Sequence, residues 1–303
     1  MRAALLLASW LAAPSVTQGG GGDDRDDYQP ADTDRAPDAV LGASGNSDAQ
    51  DGVLLHQMLS GREVAKGDQR AAGMKNFQYF VGDRDAGKVV VVDGAWDPQG
   101  IEQEARDMGL EIVGYVASHY HWDHIGDASK GVLGMKFFVD REDYATPAPG
   151  VPAYVHELEL DDAASKCAIV RKALLTPTVN GTSIWVGAVR LRFVWTPGHS
   201  RGGMSIAVGR GASEGTLGGN FEEKLVLTGD TLFPGSCGRI DLPESDKEEM
   251  YKSLQNVLRE MPDDIVVWPG HGYSGGSTTI GKEKKRGLLR RTSEQQWKRQ
   301  MGG

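Results

Sequence analysis

Ile112-Val113-Gly114-Tyr115-Val116-Ala117-Ser118-His119-Tyr120-His121-Trp122-Asp123-His124 is a β-branched apolar run that ends in four side chains able to ligate a metal. The apolar half reads as a buried strand. The loop after such a strand lies at its C-terminal end, where ligand sites of α/β proteins gather. Histidines two positions apart, His119 and His121, converge on one cation. Asp123 and His124, at i+4 and i+5, turn toward a neighbouring one. The chain has only 7 His in 303 residues, so three of them in one loop are not the scatter of a polar surface.

The remaining histidines extend the pattern. Thr196-Pro197-Gly198-His199-Ser200 follows a strand-like run at 189–195. Thr228-Gly229-Asp230-Thr231 follows Leu225-Val226-Leu227, and Pro269-Gly270-His271-Gly272 follows Ile265-Val266-Val267-Trp268. One such turn is ordinary chain punctuation. Four of them, each presenting ligand-type side chains at a strand end, predict a two-metal site. Imidazole nitrogen and carboxylate oxygen suit zinc and also accept iron or manganese. Two cations roughly 3.5–4 Å apart share a water and lower its pKa from about 16 to about 7. Asp123 is the candidate catalytic residue, placed to orient that water and take a proton.

This ordered set resembles the metallo-β-lactamase superfamily, and within it the glyoxalase II-like branch of hydroxyacylglutathione hydrolases. The resemblance runs over residues 74–284. It includes Asn76-Phe77-Gln78-Tyr79-Phe80-Val81-Gly82-Asp83, Val92-Asp93, residues 228–233, Gly238-Arg239-Ile240-Asp241-Leu242 and Ser277-Thr278-Thr279-Ile280-Gly281-Lys282-Glu283. It implies an αββα sandwich, two central mixed sheets flanked by helices. One metal is then held by His119, His121 and His199, a second by Asp123, His124 and His271, and Asp230 bridges them. The implied reaction is hydrolysis of a small-molecule thioester, such as a hydroxyacylglutathione, by a metal-bridging hydroxide. True β-lactamases usually lack the bridging Asp, and many place a Cys at the second metal, where this chain has none.

The chain also departs from those relatives. Full-length hydroxyacylglutathione hydrolases continue into a helical domain that supplies basic residues to glutathione, whereas only 32 residues follow His271 here. Lys282, Lys284, Lys285, Arg286, Arg290, Arg291, Lys298 and Arg299 read as a solvated basic tail. Gly287-Leu288-Leu289 stands where relatives often carry Asn-Pro-Phe. Two other readings are carried forward. A persulfide dioxygenase of the same superfamily would hold one iron through His119, His199 and Asp230, and Cys237-Gly238-Arg239 resembles an element of those enzymes. A non-catalytic metal-binding scaffold would be expected to lose ligands, and all seven positions are filled.

Composition bounds the rest. A formal net charge of −9 argues against a nucleic-acid surface, and no run is apolar and long enough for a membrane span. Met1-Arg2 and the apolar 3–13 resemble a secretory signal over residues 1–18. That suggests the secretory pathway or an organelle lumen, with the cytoplasm as the alternative. Residues 19–50 read as a disordered Gly-rich and acidic linker, 51–285 as the metallo-β-lactamase-like domain and 286–303 as the basic tail. Strands are expected near 77–81, 88–92, 112–118, 137–139, 153–155, 183–185, 189–195, 204–208, 224–227 and 265–268. Helices are expected at 99–108, 161–170 and 247–260, with another in 51–73 that aligns Leu54, Leu55, Met58 and Leu59. His56 and His156 read as structural. Cys167 reads as a buried small hydrophobe, and Cys237 as a turn residue with a possible dioxygenase parallel. Two cysteines this far apart make no disulfide framework.

Overall fold

Val89-Val90-Val91-Val92 has no polar face, because its strand is covered on both sides. Val89 and Val91 join an outer core with Ile101, Tyr115 and Phe138, while Val90 and Val92 join an inner one with Leu191, Phe193, Ile206 and Leu225. This two-sided burial is the rule in a layered sandwich. The computed structural model describes residues 52–141, 150–211 and 222–301. The leader and linker expected over 1–50 lie outside the described residues.

Among the described residues, twelve strands form two six-stranded sheets. The first runs in sequence order: β1 Val53–Leu59, β2 Phe77–Asp83, β3 Lys88–Val92, β4 Glu111–Val116, β5 Ala153–His156 and β6 Leu175–Thr178. β1, β2 and β3 are antiparallel, and β3 to β6 are parallel. The second comprises β7 Ser183–Val186, β8 Val189–Trp195, β9 Met204–Arg210, β10 Glu222–Gly229, β11 Val266–Pro269 and β12 Thr278–Thr279, ordered β12-β11-β10-β9-β8-β7. β10 and β11 are its parallel pair. Parallel neighbours need crossovers, and these carry the outer helices.

The helices are α1 Gln69–Met74, α2 Pro98–Asp107, α3 Trp122–Ile125, α4 Met135–Val139, α5 Leu160–Lys166, α6 Lys247–Lys252, α7 Ile280–Arg286 and α8 Glu294–Gln300. α2 shows why the sequence turns helical where it does. The Asp97 side chain caps the Gly100 N–H, Pro98 occupies the first turn, and Ile101 and Ala105 bury one stripe. α6 continues through a single π turn, Ser253–Val257, and a 3₁₀ turn, Leu258–Glu260. Helices thus flank both sheets, and the fold is the αββα sandwich that the sequence predicts.

Three expectations are corrected. Residues 53–59 form strand β1, not part of a helix, paired to β2 from Val53↔Asp83 to Leu59↔Phe77. Leu54, Leu55, Met58 and Leu59 match a helical stripe, but Val53 and Leu55 enter the inner core while Leu54 and Met58 enter the outer one. Two-sided burial mimics the helical spacing; the helix of that region is α1, capped by Asp68. Residues 137–139 are helical in α4, because β4 pairs directly with β5 through Tyr115↔Ala153 and leaves no edge for a strand. Residues 286–301 are docked on the fold rather than forming a free tail, although Arg286, Arg290, Arg291, Lys298 and Arg299 are exposed as expected. Leu289 and Trp297 are buried against α6, and the Trp297 indole N–H donates to the Lys247 carbonyl at 2.8 Å. α8 itself is closed by a Ser293/Gln296 capping box. β6, for which the sequence predicts no strand, pairs with β5.

Candidate metal centre

Five strand ends meet at one rim of the sandwich. Asp93 follows β3, the His119–His124 stretch follows β4, and His199, Asp230 and His271 sit at the ends of β8, β10 and β11. β3 and β4 run parallel in one sheet, as do β10 and β11 in the other, so each sheet delivers its C-terminal ends to the same edge. His121 is the N-cap of α3, which carries Asp123 and His124 in a single turn. Gly270 is required by this crowding: a Cβ there would stand 2.4 Å from Asp230 Oδ1.

All seven residues singled out in the sequence are buried and converge. His121 Nδ1 lies 3.0 Å from His119 Nε2 and 2.9 Å from His199 Nε2. Beside this triad, His124 Nε2 lies 3.1 Å from His271 Nε2, and Asp123 Oδ2 is 3.6 and 3.4 Å from the two. Asp230 spans both groups, its Oδ2 3.4 Å from His199 Nε2 and from His271 Nε2, its Oδ1 3.4 Å from His124 Nε2.

The outward-facing ring nitrogens settle what the inward ones are. His124 Nδ1 faces Asp93 Oδ2 at 2.9 Å, and His121 Nε2 faces Glu244 Oε1 at 2.8 Å. His199 Nδ1 faces the Arg239 carbonyl at 2.7 Å and His271 Nδ1 the Met74 carbonyl at 2.6 Å. These partners only accept, so each ring carries its proton on the outside and, when neutral, a lone pair inside. His119 Nδ1 meets Ser118 Oγ at 3.0 Å, and that hydroxyl donates to Asp93 Oδ2 at 2.6 Å. Such partners fix the tautomer and aim of metal-binding histidines.

Lone pairs and carboxylates facing each other at about 3 Å repel unless a proton or cation lies among them. Zinc–nitrogen bonds of about 2.0–2.1 Å set tetrahedral ligand atoms about 3.3 Å apart, close to these separations. Asp230 Oδ1 is buried with no hydrogen-bond partner among the described residues. The donor set therefore fits divalent cations: His119, His121 and His199 would hold one, Asp123, His124 and His271 a second, with Asp230 between them. Protonation follows the same field. Burial and the neighbouring His124 and His121 hold His119 well below the usual imidazole range. Burial, outweighing the Asp230 charge, lowers His199 to about 4. At His124 burial is outweighed by Asp230, Asp123 and Asp93, which raise it to about 10. Burial likewise opposes ionisation of Asp230, yet His271 and His124 pull its carboxyl well below the usual range.

Several contributors carry no mark in the sequence reading. Asp93 orients His124 directly and His119 through Ser118. Glu244 orients His121, whose hydrogen bond helps lower that carboxyl to about 2. The Trp96 indole N–H donates to Asn76 Oδ1 at 3.0 Å, which turns the Asn76 amide N–H toward Asp123 Oδ2 at 2.9 Å. Asn76 and Val92-Asp93 open two of the motifs quoted above, which was the available signal. Cys237 is 1% exposed, packed with Val226, Leu232 and Ile240, and burial pushes its thiol up to about 12. His56 stacks on Phe80, and His156 stacks on Trp195; neither joins the centre.

Above the cluster the opening is lined by Met74, Phe233, Leu242, Tyr273 and Arg239. Tyr273 stacks on His271 with ring centroids 4.7 Å apart. Arg239 is the cation of this lining among the described residues and is forked onto Asp241 at 2.8 and 2.9 Å. The late basic residues lie elsewhere: Lys284 pairs with Asp263, and Lys298 with Glu248 and Glu294. No helix among the described residues is long and apolar enough to cross a membrane.

Comparison with known proteins places this geometry among relatives. The sequence model of the metallo-beta-lactamase superfamily matches residues 75–212. An uncharacterized protein of Aquifex aeolicus is 32% identical over 215 residues, covering 67% of this chain and 86% of its own length. The probable polyketide biosynthesis zinc-dependent hydrolase PksB of Bacillus subtilis is 26% identical over 204 residues, covering 67% and 76%. Among solved structures, ETHE1 from Myxococcus xanthus superposes with a TM-score of 0.57 at 21% identity, covering 82% of this chain and 89% of its own, a likeness of fold.

Proposed function

The chain belongs to the metallo-beta-lactamase superfamily, and from that premise we propose that it is a dinuclear metal-dependent hydrolase acting on a small thioester. One observation carries the proposal: two complete ligand triads share a single carboxylate, with Asp230 Oδ2 3.4 Å from a nitrogen of each. Bound divalent cations, zinc first and iron or manganese as alternatives, supply a water acidic enough to ionise at neutral pH and a counter-charge for a developing oxyanion or thiolate.

The residues of the chain supply position and proton handling. Asp123 stays ionised: burial opposes its charge, but His124 and His271 outweigh burial and hold its carboxyl below the usual range. Its Oδ2 faces into the centre, fixed by the Asn76 amide, so it is the group that orients a water and accepts its proton. Met74, Phe233, Leu242 and Tyr273 give the opening an apolar wall and exclude bulk water from one side. That wall suits the acyl chain or thiol arm of a thioester. Arg239 is the cation at hand for an anionic carrier such as glutathione, and its charge is already shared with Asp241. The Bacillus relative, described as a zinc-dependent hydrolase, supports both the metal and the reaction class. The single-iron dioxygenase reading would use His119, His199 and Asp230 and leave His121, Asp123, His124 and His271 without a task.

Metal analysis beside a panel of acyl thioesters tests the reading. The expected result is close to two first-row ions per chain and hydrolysis that a chelator abolishes. Asp123→Asn at matched metal content should lower kcat by about 10² to 10⁴ with little change in KM, the range for lost acid–base function. One iron per chain with thiol-dependent oxygen uptake would move the assignment to the dioxygenase. Undiminished turnover by metal-loaded Asp123→Asn would remove Asp123 from the mechanism.

A further inference from the structure

Glu159 is the one acidic side chain of its turn that sees no solvent. It closes the 3₁₀ turn Glu157–Glu159 and stands at the N-cap position of α5, with its side chain turned to other partners. The residue is 0% exposed, which for a carboxylate requires strong compensation. Two backbone amides compensate in part, although burial still raises its carboxyl above the usual range. Glu159 Oε2 accepts the Tyr120 N–H at 2.9 Å, and Oε1 accepts the Gly202 N–H at 2.8 Å.

The identity of those amides gives the contact its meaning. Tyr120 stands between His119 and His121, on the loop after β4. Gly202 stands three residues beyond His199, on the loop after β8 in the opposite sheet. One side chain thus ties together both loops that carry the first triad; the first of these also leads into Asp123 and His124, and the β11 end that carries His271 lies outside the contact. Gly202 has the space for this only as glycine: a Cβ would lie 2.7 Å from Glu159 Cγ and 2.9 Å from Cδ. Hydrogen bonds from amides to an ionised oxygen are roughly twice as strong as neutral ones and short enough to fix position.

We propose that Glu159 is a positioning residue for the first metal subsite, setting the separation of the His119–His121 loop from the His199 loop so that three imidazole nitrogens meet at one point. The proposal rests on the two-subsite reading given above. Groups that orient metal ligands at one remove typically change metal affinity by 10–100-fold when lost, and the same scale applies here. Glu159→Gln replaces one acceptor oxygen with a donor amide that must face an N–H. Gly202→Ala keeps the Glu159 carboxyl in the chain but pushes its side chain away from the loop.

The test places each of these changes in two single-subsite proteins. His271→Ala impairs the second triad and leaves the first, and His199→Ala does the reverse. Zinc affinity is measured by chelator competition, and melting of the metal-free protein is recorded alongside. In the His271→Ala protein, Glu159→Gln and Gly202→Ala should each weaken zinc by about 10–100-fold. In the His199→Ala protein they should leave it within about threefold, well inside that range. Equal weakening in both backgrounds would overturn the proposal in favour of a general packing role. Unchanged affinity in both would overturn it as well. Failure of the unsubstituted protein to bind zinc, iron or manganese would instead remove the metal centre itself. Should Glu159→Gln not fold, Gly202→Ala carries the same comparison.

Discussion

His199 and His124 lie on opposite sides of Asp230, yet they start from opposite protonation states. Burial lowers His199 to about 4, so it is neutral and ready to ligate at pH 7. Asp230, Asp123 and Asp93 outweigh burial at His124 and raise it to about 10, so its proton is retained. A cation entering the second triad must displace that proton, whereas His119 and His199 in the first hold none. Second-subsite affinity should therefore rise with pH up to about 10, and more steeply than first-subsite affinity, to which His199 contributes no proton release at pH 7. Calorimetric titration in buffers of differing ionisation enthalpy should count more protons released for the second equivalent than for the first at pH 7. Equal release for both equivalents would contradict the asymmetry. The seven candidate ligands were legible because rare histidines sat after strand-like runs. Glu159, Glu244 and Asp93 were not assigned roles, because a carboxylate among 42 acidic residues acquires its task only from what the fold brings against it.

At the level of elements, legibility followed how many faces each one buries. β8, β9 and β10 read clearly from sequence, since long β-branched runs with turn residues at their ends have few other interpretations. β1 and α4 were misread for related reasons: two-sided burial gave β1 an apparent helical stripe, and the short buried run of α4 has no periodicity that separates strand from helix. β4 pairing with β5 decided the second case, and no local signal encodes that pairing. α8 was missed because its eight basic neighbours dominated the reading, although Ser293 and Gln296 spell a capping box. Its anchor is Trp297, 2% exposed, packed at a tilt against Tyr251 and donating to the Lys247 carbonyl. Trp297→Ala should therefore destabilise the protein by about 3–5 kcal/mol, the usual cost of truncating a buried aromatic. Urea unfolding measures this. A loss below about 1 kcal/mol, typical of a surface change, would return the segment to a solvated tail.

For the whole molecule, the two triads have one design. His119 and His121 come from the first sheet and meet His199 from the second; Asp123 and His124 come from the first sheet and meet His271 from the second. Each ion would therefore join the two sheets at the rim, at a point where the inner apolar core has already ended. Metal removal should then cost global stability and not only activity. A ligand that binds only the folded state at a hundred times its Kd stabilises by about 2.7 kcal/mol. A domain of 150–250 residues shifts by about 2–4 °C per kcal/mol. Stripping one ion should thus lower Tm by about 5–10 °C, and stripping both should lower it further. Scanning calorimetry before chelation, after it, and after zinc is restored gives the measurement, with metal content confirmed at each stage. Recovery of Tm on restoring zinc is the expected result. A metal-free protein that melts at the same temperature as the loaded one would mean that the sheets are joined by their packing alone, and that the rim ligands contribute chemistry without contributing to the fold.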